Sequence, residues 1–301
     1  MELGMVGLGR MGANMAERLA RGGHRVIGAD PAPAARAAAA QRGIEAVDTP
    51  AALLAKLAAP RTLWLMVPAR AVDATLETLL PGLAPGDRVV DGGNSFYRDS
   101  QRRAALLAAH GIGFVDVGTS GGIWGLQEGY CLMAGGEDAD VARIRPLLET
   151  LAPAPDRGWA RVGPVGAGHF VKMIHNGIEY ALMQAYAEGF ALLQRKEALV
   201  PDLAQVAELW RHGSVVRSWL LDLTAGALQA NPSLEGIAPY VEDSGEGRWT
   251  VAEAIDADLS TPVIALSLLQ RLRSRDADPF GEKLLAAMRA AFGGHPVRAA
   301  E

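Results

Sequence analysis

Apolar and polar positions alternate in two different rhythms along this chain. In the first half, short apolar runs that end in glycine, asparagine or serine alternate with stretches of helical periodicity. After an opening strand–helix–strand segment, these runs predict strands at 62–68, 87–94, 113–121 and 130–136. Beyond residue 164 the strand pattern stops, and the spacing of apolar positions predicts helices over 167–195, 202–212, 216–230, 250–257, 262–275 and 279–292.

The two rhythms predict two domains of different class. Alternating strands and helices over 1–164 predict an α/β Rossmann-type doubly wound sheet. Ligands of such sheets bind at the carboxyl ends of the strands. The remainder, 165–301, predicts an all-α C-terminal domain.

Composition and charge exclude several function classes. The 301 residues carry a net charge of −5 and no basic run, which argues against a nucleic-acid partner. No uncharged apolar run is long enough to cross a bilayer and no cleavable leader is recognised, so we expect no membrane partner and a cytoplasmic location. The single cysteine, Cys131, excludes a disulfide framework and is expected to be a buried strand thiol. The six scattered histidines predict no metal site.

The first turn of the chain carries a GxGxxG pattern that is typical of dinucleotide binding. Gly7 permits the tight turn, Gly9 lets a pyrophosphate approach the backbone, and Gly12 lets the following helix pack closely on the strand. The helix then offers free N–H groups to the phosphates. The predicted cofactor-binding turn consists of Gly7, Leu8, Gly9, Arg10, Met11 and Gly12.

Asp30 ends the second strand, where an acidic residue reads the adenosine ribose. A carboxylate accepts hydrogen bonds from the ribose 2′-hydroxyl and repels a 2′-phosphate. No basic residue follows directly, since Arg36 comes only on the next helix. The sequence therefore predicts NAD as the cofactor, in preference to NADP.

Further candidate ligands follow the later strands of the first domain. Val67, Asn94 and the Ser120-Gly121-Gly122 turn all lie at predicted carboxyl ends. The serine–glycine turn exposes backbone N–H groups beside a hydroxyl, which suits a carboxylate, although an ordinary strand-ending turn has the same composition.

The segment KMIHNGIEY places four polar groups on one face of a predicted helix. Lys172, His175, Asn176 and Glu179 are spaced at i, i+3, i+4 and i+7 between apolar neighbours. A lone Lys–Glu pair would indicate a structural ion pair, but four groups on one stripe favour a site. A buried lysine has a lowered pKa and can act as a base near neutral pH.

Taken together, these motifs resemble the decarboxylating 6-phosphogluconate dehydrogenases along nearly the whole chain. GLGRMGANMA, VDGGNS, the TSGG turn, GHFVKMIHNGIEY, GEGRWT and RAAFGGH occur in that family's order. The resemblance implies a sugar-acid phosphate substrate, with Lys172 as base and then acid and Glu179 as the acid that protonates the decarboxylated carbon. The substrate-binding residues that it implies are Asn94, Ser120, Gly121, Gly122, His175, Asn176, Tyr180, Arg273 (with Arg271 as the near alternative), Arg289 and His295.

The chain departs from the long form of that family in two ways. It is shorter by about one helical repeat, so dimerisation or tetramerisation through the helical domain is expected, with Arg289 and His295 similar to a pair that reaches the site of a neighbouring subunit. Ser244 stands where a phosphate-binding lysine is expected. Shortness together with Asp30 resembles the short, NAD-preferring branch.

Two other functions stay open at this point. One is a β-hydroxyacid dehydrogenase or semialdehyde reductase that acts on a short 3-hydroxy acid without decarboxylation. The other is a nicotinamide-binding regulator without turnover.

Overall fold

An eight-stranded sheet organises the first part of the chain. In the computed structural model, which describes residues 1–293 and 296–298, the order of the strands across the sheet is β3-β2-β1-β4-β5-β6-β7-β8. All neighbouring strands pair in parallel except β6 and β7, which pair antiparallel. The strands β1 to β8 are Glu2–Val6, Arg25–Ala29, Glu45–Val47, Thr62–Leu65, Arg88–Asp91, Gly113–Ser120, Cys131–Gly136 and Trp159–Gly163.

Helices flank the sheet and then form the rest of the described chain. Helices α1 to α7 lie between or after the strands up to β8, and α8 to α13 follow them. They are Arg10–Arg21, Pro33–Gln41, Pro50–Leu54, Val72–Leu79, Tyr97–Ala108, Gly125–Glu128, Asp138–Leu151, Ala167–Gln194, Leu203–Trp210, Trp219–Ala230, Glu246–Asp256, Pro262–Arg273 and Phe280–Gly293. The predicted α/β Rossmann-type sheet followed by an all-α part is therefore confirmed.

The chain forms two compact units, Met1–Asn176 and a second that begins at Gly177. In the first unit, two buried apolar clusters pack on the sheet, one around Trp64 and Leu147 and the other around Leu63 and Phe114. In the second unit, Phe190 belongs to a smaller buried cluster formed by α8, α9 and α10. The change from strands to helices falls between β8 and α8, and the division between the compact units falls within α8.

Within the ranges that the structure describes, no helix combines the length and the apolar character needed to cross a membrane.

Two predictions about local structure are wrong. Cys131 is exposed rather than buried, because it is the first residue of β7 and pairs with Ser120, the last residue of β6, where the two strands end. The helix predicted over 250–257 begins four residues earlier, at Glu246. Gly245 ends the turn with a φ of 104°, and the Glu246 side chain lies in the first turn, where the helix dipole favours a negative charge.

Candidate active site

The glycine turn between β1 and α1 has the geometry of a dinucleotide cradle. Gly7 has a φ of 94°, which favours glycine, and its N–H donates to Ala29 O at 2.8 Å. A side chain at Gly12 would collide with the carbonyl oxygen of Gly7, so only glycine lets α1 pack this closely. Open space surrounds Gly9, which caps α1 without any side-chain hydrogen bond. The backbone N–H groups at the start of α1 therefore face space that a pyrophosphate fits.

Asp30 lies at the end of β2 with both carboxylate oxygens held by the backbone. Leu8 N–H donates to Oδ2 and Ala32 N–H to Oδ1, each at 2.8 Å. The carboxylate is thereby fixed beside the glycine turn, and its remaining lone pairs can accept hydroxyl groups of a ribose. Arg36 donates to the carbonyl oxygens of Asp30 and Pro31 at 2.9 Å, so its guanidinium is nearer to this loop than its place on the next helix indicated.

The loop after β5 carries the exposed Asn94 and is stabilised by hydrogen bonds to the Asp91 carboxylate. The buried Asp91 carboxylate accepts from Ser95 Oγ at 2.7 Å and from Gly93 N–H at 3.1 Å. It also accepts from the buried Arg103 at 3.3 Å. These bonds on both sides of Asn94 fix the loop at the carboxyl edge of the sheet, where the cofactor-binding residues Val67 and Asn94 were predicted.

The end of β6 meets the third turn of α8. Ser120 Oγ and His175 Nε2 lie 3.2 Å apart, and His175 Nδ1 lies 3.1 Å from Asn176 Oδ1. Because an amide oxygen only accepts, Nδ1 carries the proton, and Nε2 of a neutral ring accepts from the Ser120 hydroxyl. Gly121 and Gly122 follow with φ of 126° and 50° and open the turn beside this serine. The structure thus joins three of the predicted substrate-binding side chains.

Lys172 lies one turn before His175 on the same helix and is buried, with 8% of its surface exposed. A Cβ at Gly118 of β6 would collide with Lys172 Cβ, so the strand lacks a side chain where the lysine passes it. The lysine stem therefore packs against strand backbone.

Asp116 is a buried acid of β6 that the sequence reasoning did not select. Its carboxylate accepts the N–H of Gly166 at 2.7 Å and the N–H of His169 at 2.8 Å, at the start of α8. Burial raises the pKa of the Asp116 carboxyl, while the His169 ring and these N–H groups act in the opposite direction. A charged residue inside the apolar run GFVDVG was the signal that could have identified it.

In the second unit, Tyr180 is buried and lies beneath an arginine. Arg271 stacks on its ring with the guanidinium carbon 3.5 Å from the ring centroid. The Tyr180 hydroxyl is buried without a hydrogen-bond partner among the described residues. Arg273, the arginine chosen from the sequence, instead pairs with Glu282 at 2.8 Å on the surface. The structure thus brings Arg271, the alternative, next to Tyr180.

The first turn of α11 holds a second acid that the sequence reasoning missed. Ser244 Oγ donates to Glu246 Oε2 at 2.5 Å, and the Glu246 side chain is buried. A side chain at Gly247 would collide with the Tyr180 ring, so this turn packs directly against the tyrosine. The position where a phosphate-binding lysine was expected is therefore occupied by a serine bound to a carboxylate.

The remaining predicted residues are Glu179, Arg289 and His295. Glu179 is half-buried on α8, seven residues after Lys172. Arg289 lies on the exposed surface of α13. His295 is outside the described residues. No group of three or more His, Cys, Asp or Glu side chains with metal-binding geometry occurs in the described ranges.

Comparisons with known proteins agree with this site. A family model of the NAD-binding domain of 6-phosphogluconate dehydrogenase matches residues 2–163, and a model of the C-terminal domain of that enzyme matches residues 168–287. The chain is 44% identical over 99% of its length to a Haloferax volcanii protein named "6-phosphogluconate dehydrogenase, NAD(+)-dependent, decarboxylating", covering 98% of it. It is 42% identical to Bacillus subtilis YqeC, with 98% of each chain covered.

A solved structure of Plasmodium falciparum 6-phosphogluconate dehydrogenase matches the whole chain with a TM-score of 0.84 and 25% identity. This chain spans 66% of that longer protein.

The dinucleotide cradle and the match of residues 2–163 to an NAD-binding domain define a pyridine-nucleotide-dependent oxidoreductase. Within this class of oxidoreductases, both family models and the Haloferax and Bacillus relatives point to one family. The chain belongs to the 6-phosphogluconate dehydrogenase family, as the sequence resemblance implied. These matches do not favour a dehydrogenase that acts on a short 3-hydroxy acid without decarboxylation, nor a nicotinamide-binding regulator without turnover.

Proposed function

We propose that this protein oxidises and decarboxylates 6-phosphogluconate to ribulose 5-phosphate and CO2 with reduction of NAD. The observation that carries the proposal is the packing of Lys172 against β6, one turn from the Ser120–His175–Asn176 chain of hydrogen bonds. A base, a hydroxyl and an amide are thereby placed together beside the dinucleotide fold. Family membership and the name of the Haloferax relative support the same reaction.

In the first step, Lys172 accepts the proton of the C3 hydroxyl. The bound nicotinamide supplies the hydride acceptor. Backbone N–H groups of the Gly121-Gly122 turn hold the substrate carboxylate together with the Ser120 hydroxyl, which turns from His175 Nε2 to the carboxylate when substrate binds. Asn94, His175 and Asn176 then hold the substrate's hydroxyls and carboxylate. Fixing the alcohol against its base in this way replaces an encounter in solution with a preorganised transfer.

In the second step, the β-keto acid loses CO2 as the electrons of the breaking bond move to the keto group. Lys172, now protonated, returns its proton to the keto oxygen and gives an enediol. Glu179 then protonates C1 while the enediol hydroxyl returns its proton to the lysine. Glu179 lies two turns along the same helix from Lys172, ~10 Å along the axis, so the two groups can address different carbons of one extended substrate.

NAD rather than NADP is the cofactor that we propose within the pyridine-nucleotide class. The support is the Asp30 carboxylate, held by two backbone N–H groups at the position of the adenosine ribose. A fixed carboxylate accepts ribose hydroxyls and repels a 2′-phosphate. Relatives of this chain include both NAD(+)-dependent and NADP(+)-dependent enzymes by name, so the choice depends on local residues such as this one.

The substrate phosphate is proposed to lie beside Arg271 and Tyr180. A guanidinium binds phosphate with two hydrogen bonds, and its stacking on a buried ring holds it in place. We expect Arg271→Met to raise KM for 6-phosphogluconate about 10- to 100-fold, the loss of a charge-assisted hydrogen bond or two. Arg273→Met is the matched control: it removes a surface ion pair with Glu282 and an exposed hydrogen bond to Asp276 O, so KM should stay within about twofold. The reverse ranking in initial-rate assays would assign the phosphate to Arg273.

We further propose a homodimer or a homotetramer formed through the helical unit. Helix α12 exposes Val263, Leu266 and Leu269, with exposed fractions of 66%, 59% and 56%, at a spacing that forms an apolar stripe. A symmetric partner would cover this stripe. The neighbouring subunit would also supply Arg289 to the site.

Leu266→Glu is therefore expected to shift the protein toward monomer in sedimentation velocity and to lower activity. Leu106→Glu, on the exposed face of α5 in the first unit, is the control and should change neither. A wild-type protein that sediments as a fully active monomer would contradict the proposal.

A further inference from the structure

Strand β6 presents three alternate residues to three successive turns of α8. Asp116 binds the N–H groups of Gly166 and His169, Gly118 lies against Lys172, and Ser120 bonds to His175. Residues two apart on a strand share one face, and residues three or four apart on a helix share one side. The contacts therefore form a continuous line along which strand and helix match.

Because α8 contacts the backbone of the strands directly, its alignment on β6 tolerates little displacement. A Cβ at Gly118 would lie 2.6 Å from Gly168 O, and a Cβ at Gly135 of β7 would lie 2.6 Å from Gly168 N and from Asp116 Oδ1. Glycines on both partners thus let α8 lie directly on the strands, without side chains between them. A slip of one residue would rotate the helix by about 100° and turn the lysine away from the site.

Asp116 is the polar anchor in this line. Its carboxylate is fully buried and binds two defined N–H groups, which fixes both the axial position and the rotation of the helix start. The first N–H groups of a helix have no partner within the helix, so this bonding stabilises α8 as well.

We propose that Asp116 is a positioning residue that sets the register of α8 on β6 and so places Lys172 at the reacting hydroxyl. It does not itself touch the substrate. The inference depends on the role of Lys172 proposed above. A register function can be distinguished by experiment from simple stabilisation of the fold. The same sheet offers the comparison, because a second buried carboxylate with similar hydrogen bonds lies at the amino ends of its strands.

That second carboxylate is Asp87, which precedes β5. It is fully buried and accepts the N–H groups of Arg61 and Ala84 at 2.6 and 2.9 Å, together with the Arg61 side chain at 3.1 Å. It lies at the amino ends of the strands, whereas ligands of such sheets bind at the carboxyl ends. Asp87→Asn therefore serves as a matched control for a lost buried bond.

The experiment compares Asp116→Asn with Asp87→Asn in the full-length protein. The amide keeps the shape and one acceptor but turns an NH2 group toward the other backbone N–H. Both variants should unfold at lower temperature than wild type. Only Asp116→Asn should lower kcat, by about 10- to 100-fold as for a misplaced catalytic group, with KM for NAD within about twofold. Its deuterium isotope effect with 6-phosphogluconate labelled at C3 should also rise.

Equal kcat values for the two variants, measured below both unfolding temperatures, would overturn the register function. If Asp116→Asn gives no folded protein, Gly118→Ala tests the same register, since the added methyl displaces Lys172 and leaves the carboxylate intact. A folded Gly118→Ala protein with wild-type kcat would also overturn it. Lys172→Met is assayed in parallel: activity in that variant would instead refute the proposed function of the lysine.

Discussion

Lys172→Met is expected to abolish turnover while nucleotide binding stays intact. Lys172 is the only side chain in the account that both accepts the proton of the alcohol and returns it to the keto oxygen. Loss of a general acid–base group typically costs about 10²- to 10⁴-fold in rate, and use in two steps places this variant toward the upper end. Methionine is unbranched, favours helices and is apolar, so it suits the buried position.

Initial rates give the activity, and NADH fluorescence titration gives the dissociation constant of the nucleotide. That constant should change less than about twofold, because the predicted nucleotide contacts come from the loops after β1, β2, β4 and β5 and not from α8. Lys196→Met, at an exposed position after α8, is the matched control and should retain wild-type rates. Turnover near the wild-type value, or loss of nucleotide binding, would refute the role assigned to Lys172.

Glu179→Gln is expected to separate the early and late steps of the reaction. The amide cannot deliver a proton to C1, so kcat should fall about 10²-fold or more. Hydride transfer and loss of CO2 precede this proton transfer and do not use the carboxyl group. A rapid-mixing experiment should therefore show a burst of NADH close to one equivalent per active site, followed by a slow steady state. Lys172→Met should show no burst.

Deuterium labelling gives a second signature of the Glu179→Gln variant. In heavy water the wild-type enzyme should place one deuterium at C1 of ribulose 5-phosphate with a single stereochemistry. The variant should lose that stereochemistry, because solvent delivers the proton. Glu188→Gln changes the same residue type on the same helix, where the exposed Glu188 only accepts from Gln184 at 2.9 Å. A Glu179→Gln variant with wild-type kcat, or with slowed hydride transfer, would contradict the assignment.

Hydrophobic periodicity correctly predicted whether most segments are helices or strands, because a long apolar pattern averages over many residues. All six C-terminal helices were predicted in order, and the long α8 agrees to within a residue at each end. The short strands β3 and β8 were missed, since β3 has three residues and β8 is mostly exposed, which leaves little apolar signal. The start of α11 was predicted four residues too late, because Gly245 caps the helix and its first turn contains a further glycine, Gly247.

Contacts between distant parts of the chain could not be predicted from local pattern. Arg271 and Arg273 are two residues apart on α12, and only the packed structure shows which of them meets Tyr180. Asp116 was overlooked because a buried carboxylate in a strand depends on partners far away in sequence, here the start of α8. The Ser120–His175 pair, by contrast, joined two motifs that the sequence had already identified separately.

The central claim is that this protein couples hydride transfer to decarboxylation with NAD. The most direct test follows NADH and released CO2 in the same samples of purified protein with 6-phosphogluconate, with NAD and NADP compared at equal concentrations. We expect equal amounts of NADH and CO2 at every time point and a higher kcat/KM with NAD than with NADP. NADH without CO2 would contradict it and identify a simple hydroxyacid dehydrogenase instead.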